Sequence, residues 1–311
     1  MFASFFNKSK PINFLIVGFA MTLFYCIANF VTVPAVISVS YFFKKIGLLI
    51  IYLLLMVLMD FIVKRNRVNR RNTFAILLFA LFTVWFPDIL RNDEILLSGF
   101  FVLLALRRII SLKSGIDTKK KIFDAAFWIC VGSLFFEWSI LFLILVFLAV
   151  LFYEANDYRN WLIPIVAIAT VYMLATCFFL LSSNSFFNFQ QFFSEPNWKF
   201  EIGGSWHQLI PLATFSLFSI FVVIHYIFLI QHASSTMKSS MVLILAILLT
   251  SLLVILCSST ETHGETLFFI FPIAIVGANY FQADGKRLFK NVIILLIISL
   301  TLVFPFLTYV N

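Results

Sequence analysis

"IGLLIIYLLLMVLMDFIV", residues 46–63, decides the fold class. Its apolar residues do not alternate with polar ones, as they would in a strand of a membrane barrel. Read as a helix at about 1.5 Å per residue, the run approaches the roughly 30 Å of a bilayer core. Comparable runs recur from end to end. Hydrophobic residues make up 62% of the 311-residue chain and charged residues only 12%, and the mean hydropathy is +1.06. The sequence therefore predicts an all-α, polytopic membrane protein forming one transmembrane domain over 1–311. Forty-two phenylalanines against ten glycines point to bulky packing into lipid and between helices rather than small-residue contacts.

Eleven spans are predicted: 12–35, 46–63, 73–87, 94–110, 122–136, 138–152, 161–181, 209–231, 240–257, 266–282 and 291–309. The stretch 122–153 would run about 48 Å as one helix, too long for a single crossing, so a turn is placed at "FFEWS" with Glu137 at the bend. With the N-terminus inside and the C-terminus outside, all but four of the 22 basic residues fall on the inner side. The four left outside are Lys44, Lys45, Arg91 and Lys199. This is the positive-inside pattern. The first run is long for a cleaved leader and reads as an anchor. Basic runs such as "KRNRVNRR" (64–71) read as loops that orient the chain and hold anionic phospholipid, with no nucleic-acid partner. Neither a P-loop nor a dinucleotide glycine pattern is present, and no cofactor is expected. The four cysteines all lie inside apolar runs and read as small hydrophobes.

The acids divide differently. Eight of the fourteen (Asp88, Asp93, Glu94, Glu137, Glu195, Glu201, Glu261 and Glu265) fall on the outer side. Proton-transfer chemistry is therefore expected at the outer interface. The densest cluster is in "WFPDILRNDEILLSGFF", residues 85–101. One reading is a short outer hairpin, in which Pro87 ends a helix and Asp93 and Glu94 cap the next. The other is a site in which Arg91 holds a lipid phosphate and Asp88, Asp93 or Glu94 deprotonates an acceptor hydroxyl. Glu137, set among Phe135, Phe136 and Trp138, is a further acid–base candidate because ionisable groups near a membrane interior tend to be functional. "ETHGET" (261–266) has no established metal spacing, and no metal site is expected. Asp60 is expected to pair with Lys64 one helical turn away, and His225 to meet a neighbouring helix. The long outer segment 182–208 mixes aromatics with Asn and Gln. Such a segment suits the headgroup layer, and its Trp198, Trp206 and His207 are candidate sugar contacts.

The segment "RNDEILLSGFFVLLALRRI" (91–109) resembles the part of C-type, polyprenyl-phosphate-dependent glycosyltransferases in which an acidic turn leads into an apolar helix and a basic inner loop. The chain as a whole resembles an uncharacterised group of Phe-rich polytopic inner-membrane proteins of Bacteroidota. The first resemblance implies an outer-side site of the inner membrane that takes a sugar from polyprenyl phosphate. That family usually carries its catalytic acid in the first outer loop, here "VISVSYFFKK" (36–45), which has none. The alternative expectation is a non-catalytic subunit that scaffolds an envelope assembly or export complex through membrane-protein partners.

Overall fold

The computed structural model describes residues 5–7, 9–31, 38–65, 72–184, 186, 206–258, 263–283 and 287–309. Among them are twelve α-helices: α1 (Pro11–Cys26), α2 (Val39–Arg65), α3 (Phe74–Trp85), α4 (Pro87–Arg91), α5 (Asp93–Ser111), α6 (Thr118–Ser133), α7 (Leu143–Tyr153), α8 (Tyr158–Ser183), α9 (Trp206–Gln231), α10 (Ser235–Cys257), α11 (Thr266–Gln282) and α12 (Arg287–Tyr309). A π-helical turn, Ile27–Val31, extends α1, and short 3-10 turns cover Leu112–Ser114, Glu137–Phe142 and His263–Glu265. The fold is all-α, and eight helical stretches are long and apolar enough to cross a membrane. The chain is a multi-pass membrane protein.

Among the described residues each of the eleven expected segments is mainly helical, but 73–87, 122–136 and 138–152 fall short of a full crossing length. The first is short because of Pro87. Proline has no N–H to continue the ladder, so Phe86 turns out of the helix (φ −119°, ψ 86°) and Pro87 starts α4 instead. The other two are short because the stretch 122–153 does break. α6 stops at Ser133, the Gly132 carbonyl accepts from the amides of Phe135 and Phe136 (both 3.1 Å), and Phe136 is extended before the 3-10 turn.

The chain folds into two compact units, one of residues 1–96, 199–238 and 262–311, the other of 97–198 and 239–261. In the first unit α3 is enclosed by α1, α2, α11 and α12. A helix that is apolar all round can face lipid or protein, and here every residue of α3 except Leu81 is buried. Its rings interlock with the neighbours. Phe79 stacks on Phe271 (5.5 Å), Phe82 meets Phe215 edge-on (5.0 Å) and Trp85 meets Phe304 edge-on (4.9 Å). Trp85 Nε1 donates to Thr301 Oγ1 at 2.7 Å, which satisfies the one polar atom of a buried indole.

Polar groups of this unit gather at both ends of α2. At its C-terminal end Lys64 pairs with Asp60 (2.8 Å) as expected and donates to Ser9 Oγ (2.7 Å). Near α3, Asn13 donates to Thr73 Oγ1 (3.0 Å). Lys290 donates to the carbonyls of Phe281 and Ala283, closing the end of α11 with a cation where the helix dipole favours one. His225 of α9 meets Tyr280 of α11 edge-on at 5.1 Å.

In the second unit α6 packs along α8 and against α7. Gly132 sits where a Cβ would come within 3.3 Å of Phe101 Cβ and 3.4 Å of the Ser98 carbonyl, so glycine sets the approach of α5 and α6. Phe101 stacks on both Trp128 and Phe135 at 5.6 Å. Gly115 (φ 65°) ends the 3-10 turn after α5 in the left-handed region. Arg108 pairs with Asp124 (2.8 Å) and Lys119 with Asp157 (3.2 Å).

Candidate functional site

The turn between α3 and α5 builds the site. Asn92 is its hinge: its amide donates to the Asp88 carbonyl (3.0 Å), and its backbone is extended. Asn92 Oδ1 accepts from the amides of Glu94 (3.0 Å) and Ile95 (3.2 Å). Asn92 is therefore the N-cap of α5, a role it fills as well as aspartate can. The expectation that Asp93 and Glu94 supply the cap is corrected on this point. Both lie in the first turn, where the helix dipole favours acids, but the capping oxygen belongs to Asn92. The Asp93 carboxylate takes up other partners.

Those partners are two consecutive lysines. α2 begins at Val39, seven residues before the expected span, so Lys44 and Lys45 lie in the helix rather than in a loop. Lys44 Nζ approaches Asp93 Oδ2 at 2.7 Å and Lys45 Nζ approaches Oδ1 at 2.5 Å. The Lys44 side chain is 64% exposed and that of Lys45 only 6%. A buried ammonium needs an anion and further acceptors. Asp93 is the anion, and the Arg91 carbonyl, at 3.1 Å from Nζ, is an acceptor.

The floor of the site is the π-turn after α1. π-turns are rare and tend to mark functional positions. Here the turn holds Asn29, whose buried Nδ2 donates to the carbonyls of Leu90 (2.9 Å) and Tyr25 (3.2 Å). Tyr25 in turn donates to the Lys45 carbonyl (3.1 Å), and Tyr41 donates to the Asn29 carbonyl (3.1 Å). Arg91 is exposed, and its Nε reaches the Ala28 carbonyl at 3.4 Å. The Tyr41 hydroxyl lies within electrostatic reach of Asp93, Arg91 and Lys44, and Glu94 lies within reach of Lys44.

The arrangement is thus a cationic cluster. Lys44, Lys45 and Arg91 are three of the four basic residues expected outside; the two lysines meet at Asp93, and Arg91 lies within reach of the same Tyr41 hydroxyl as Asp93 and Lys44. The fourth, Lys199, lies outside the described residues. In the sequence the lysines are separated from the acids by more than forty residues, so acid density does not point to them. Their signal was scarcity on the outer side.

The other predicted site residues are placed as follows. Asp88 is half-buried and heads α4, one turn before Asn92. Glu137 is half-buried, heads its 3-10 turn and belongs to the second unit. Trp206 opens α9 and is 78% exposed. His207 follows it in the helix, but its side chain lies outside the described residues, as does Trp198 with most of 182–208. Glu261 of "ETHGET" also lies outside them, and among the described residues no group of three or more His, Cys, Asp or Glu could hold a metal ion.

Residues 3–310 match DUF6427, described as a family of unknown function. The chain belongs to that family. No curated protein and no solved structure matches this DUF6427 chain, so its site is read from its own geometry.

Proposed function

We propose that this DUF6427 protein is a glycosyltransferase-like enzyme of the inner membrane that acts on a polyprenyl-phosphate-linked sugar at the outer face. The observation that supports this most is the cluster of Lys44, Lys45 and Arg91 at one end of the first unit. Lys44, Lys45 and Arg91 are cationic donors of the kind that hold a phosphate monoester or diester. In the reaction, a carboxylate takes the proton of an acceptor hydroxyl, and that oxygen attacks the anomeric carbon. The bond from that carbon to the phosphate oxygen breaks, and the polyprenyl phosphate leaves with the electron pair. The cations offset the charge that grows on the leaving oxygen, the electrostatic contribution that is usually largest.

The base comes from among Asp88, Asp93 and Glu94, which share the first unit with the cations. Glu94 is exposed and within reach of Lys44, whereas both oxygens of Asp93 are engaged by lysines. Glu94 is therefore the better placed of the two. Trp198, Trp206 and His207 remain the proposed sugar contacts, and polyprenyl phosphate and anionic phospholipid the proposed lipid partners. The test is transfer of a radiolabelled sugar from a polyprenyl-phosphate donor in membranes containing the chain. Arg91→Ala is expected to lower transfer about 100-fold without lowering the amount of protein in the membrane. Full transfer by both this variant and Glu94→Ala would overturn the enzyme reading in favour of a scaffold that works through protein partners.

A further inference from the structure

We infer that Asp93 is a built-in stand-in for the ligand's phosphate, occupying the lysine pair until a phosphate displaces it. The inference rests on the reading of the cluster as a phosphate site and goes beyond it by giving Asp93 a role opposite to a catalyst's. Consecutive residues on a helix point about 100° apart, so Lys44 and Lys45 converge only because an anion between them draws both ammonium groups together. The carboxylate does this with one oxygen to each lysine, 2.7 and 2.5 Å. Two oxygens of a phosphate would span the same pair in the same way.

Two further observations separate a stand-in from a fixed structural counter-ion. Asn92 caps α5, so the helix does not need the Asp93 carboxylate. The position is also accessible. Asp93 is 19% exposed, and Lys44, on its outer side, is 64% exposed, so an anion can reach the pair from the Lys44 side. Lys45, at 6%, stays seated on the Arg91 carbonyl during the exchange. Displacing Asp93 costs its two ion pairs, and the wild-type affinity for phosphate is reduced by that competition.

The test is calorimetric titration of the full chain in nanodiscs with farnesyl phosphate and, separately, with inorganic phosphate. Asp93→Asn removes the competing charge and keeps an oxygen acceptor for Lys45. It is expected to bind farnesyl phosphate about tenfold more tightly than wild type, about 1.4 kcal/mol, and Lys45→Gln to bind it more weakly. Unchanged or weaker binding by Asp93→Asn, with wild type binding normally, would overturn the stand-in and leave the phosphate site intact. No binding by either protein would overturn both. Tighter binding of inorganic and farnesyl phosphate alike would uphold the stand-in but move the ligand from lipid to water. A second readout needs no variant. In wild type, carbodiimide labelling of Asp93 should rise when farnesyl phosphate is added, because the carboxylate is released; labelling that stays level or falls counts against the exchange.

Discussion

Two spans teach different things about how this protein uses apolar sequence. The stretch His263–Gln282, which contains α11, has a mean hydropathy of 1.4 and is 89% buried within the protein. Tyr158–Ser183, which is α8, has a mean hydropathy of 2.3 and is only 17% buried. The less hydrophobic span is the more enclosed. In water that order would be surprising. In a bilayer it is not, since lipid tails are as apolar as leucine and supply no hydrophobic drive between helices. A helix facing lipid must be greasy on its outer surface, and α8 presents Leu162, Ile165, Val166, Met173 and Phe178 there. A helix enclosed by protein is chosen for fit instead, and α11 carries Pro272 and Gly277, both buried. Hydropathy therefore marks membrane crossings but not the core.

The comparison breaks most readily at Gly277. A Cβ at that position would come within 2.8 Å of Leu78 Cδ1 and 3.4 Å of Phe218 Cζ, so the Leu78 side chain must shift and a branched side chain crowds it and Phe218 further. Gly277→Val is expected to cost about 2–3 kcal/mol, at the upper end for overpacking. The check is thermal unfolding of the purified protein in detergent. The matched change Ala169→Val on the exposed face of α8 should fall within about 0.5 kcal/mol of wild type. Equal losses at the two positions would mean that the enclosed and bare helices are packed alike.

The same comparison explains what could and could not be read beforehand. Segments such as 266–282 were legible because their apolar runs are continuous and of crossing length. The break in 122–153 was legible from its length and from the side on which the basic segment 285–290 would otherwise fall, whereas the part that the Gly132 carbonyl plays in ending α6 was not. The shortness of α3 was half legible. Pro87 announced an end, but nothing local said that a 12-residue helix would be enclosed by four others, because enclosure is a property of the neighbours. At the site, Arg91, Asp93 and Glu94 were found by their density. Lys44 and Lys45 were seen as outer basic residues, yet their link to Asp93, 48 residues on, is a tertiary contact. The capping role of Asn92 was hidden by the adjacent Asp93, an equally good cap by type. Glu137 shared the chemistry of the cluster but lies in the other unit.

Next in size is the ion pair at Lys45. Its side chain is 6% exposed, and removing one partner of a buried pair leaves the other without its charge. Asp93 keeps Lys44, so the loss should be less than that of a fully isolated pair. Lys45→Ala is expected to cost about 2 kcal/mol, within the range for a hydrogen-bonded charge. Lys64→Ala, at the other end of the same helix, should cost less, about 1 kcal/mol, because the Lys64 side chain is 25% exposed against 6% for Lys45. The measurement is chemical denaturation of both variants in the same detergent. Similar losses would indicate that the Lys45 end is as wet as the Lys64 end, and would remove the low-exposure half of the site's geometry.

The smallest effect is expected at the start of α8, the span with least protein around it. Asp157 is its N-cap, and its Oδ1 accepts from the Arg159 amide at 3.0 Å. That hydrogen bond, aided by Lys119 at 3.2 Å, holds the Asp157 carboxyl below the usual carboxylate range against the opposing effect of desolvation. A lowered value in the folded state means that the carboxylate's contribution is complete above its ordinary pKa. It is lost as pH falls through the lowered value. The cap holds only the first turn of the helix, so the loss should appear as local fraying rather than as a change in overall stability. Asparagine also caps well. Asp157→Asn should therefore keep the amides of 159–161 protected from hydrogen exchange at neutral pH and lose only the link to Lys119, whereas Asp157→Ala should expose them. Wild type should move toward faster exchange at these amides, relative to the intrinsic rate, once the pH is taken below the carboxylate range, and Asp157→Asn should show no such pH step. If the two variants exchange alike and match wild type at every pH, the first turn of α8 is held by something other than its own cap, and this span is less bare than its exposure indicates.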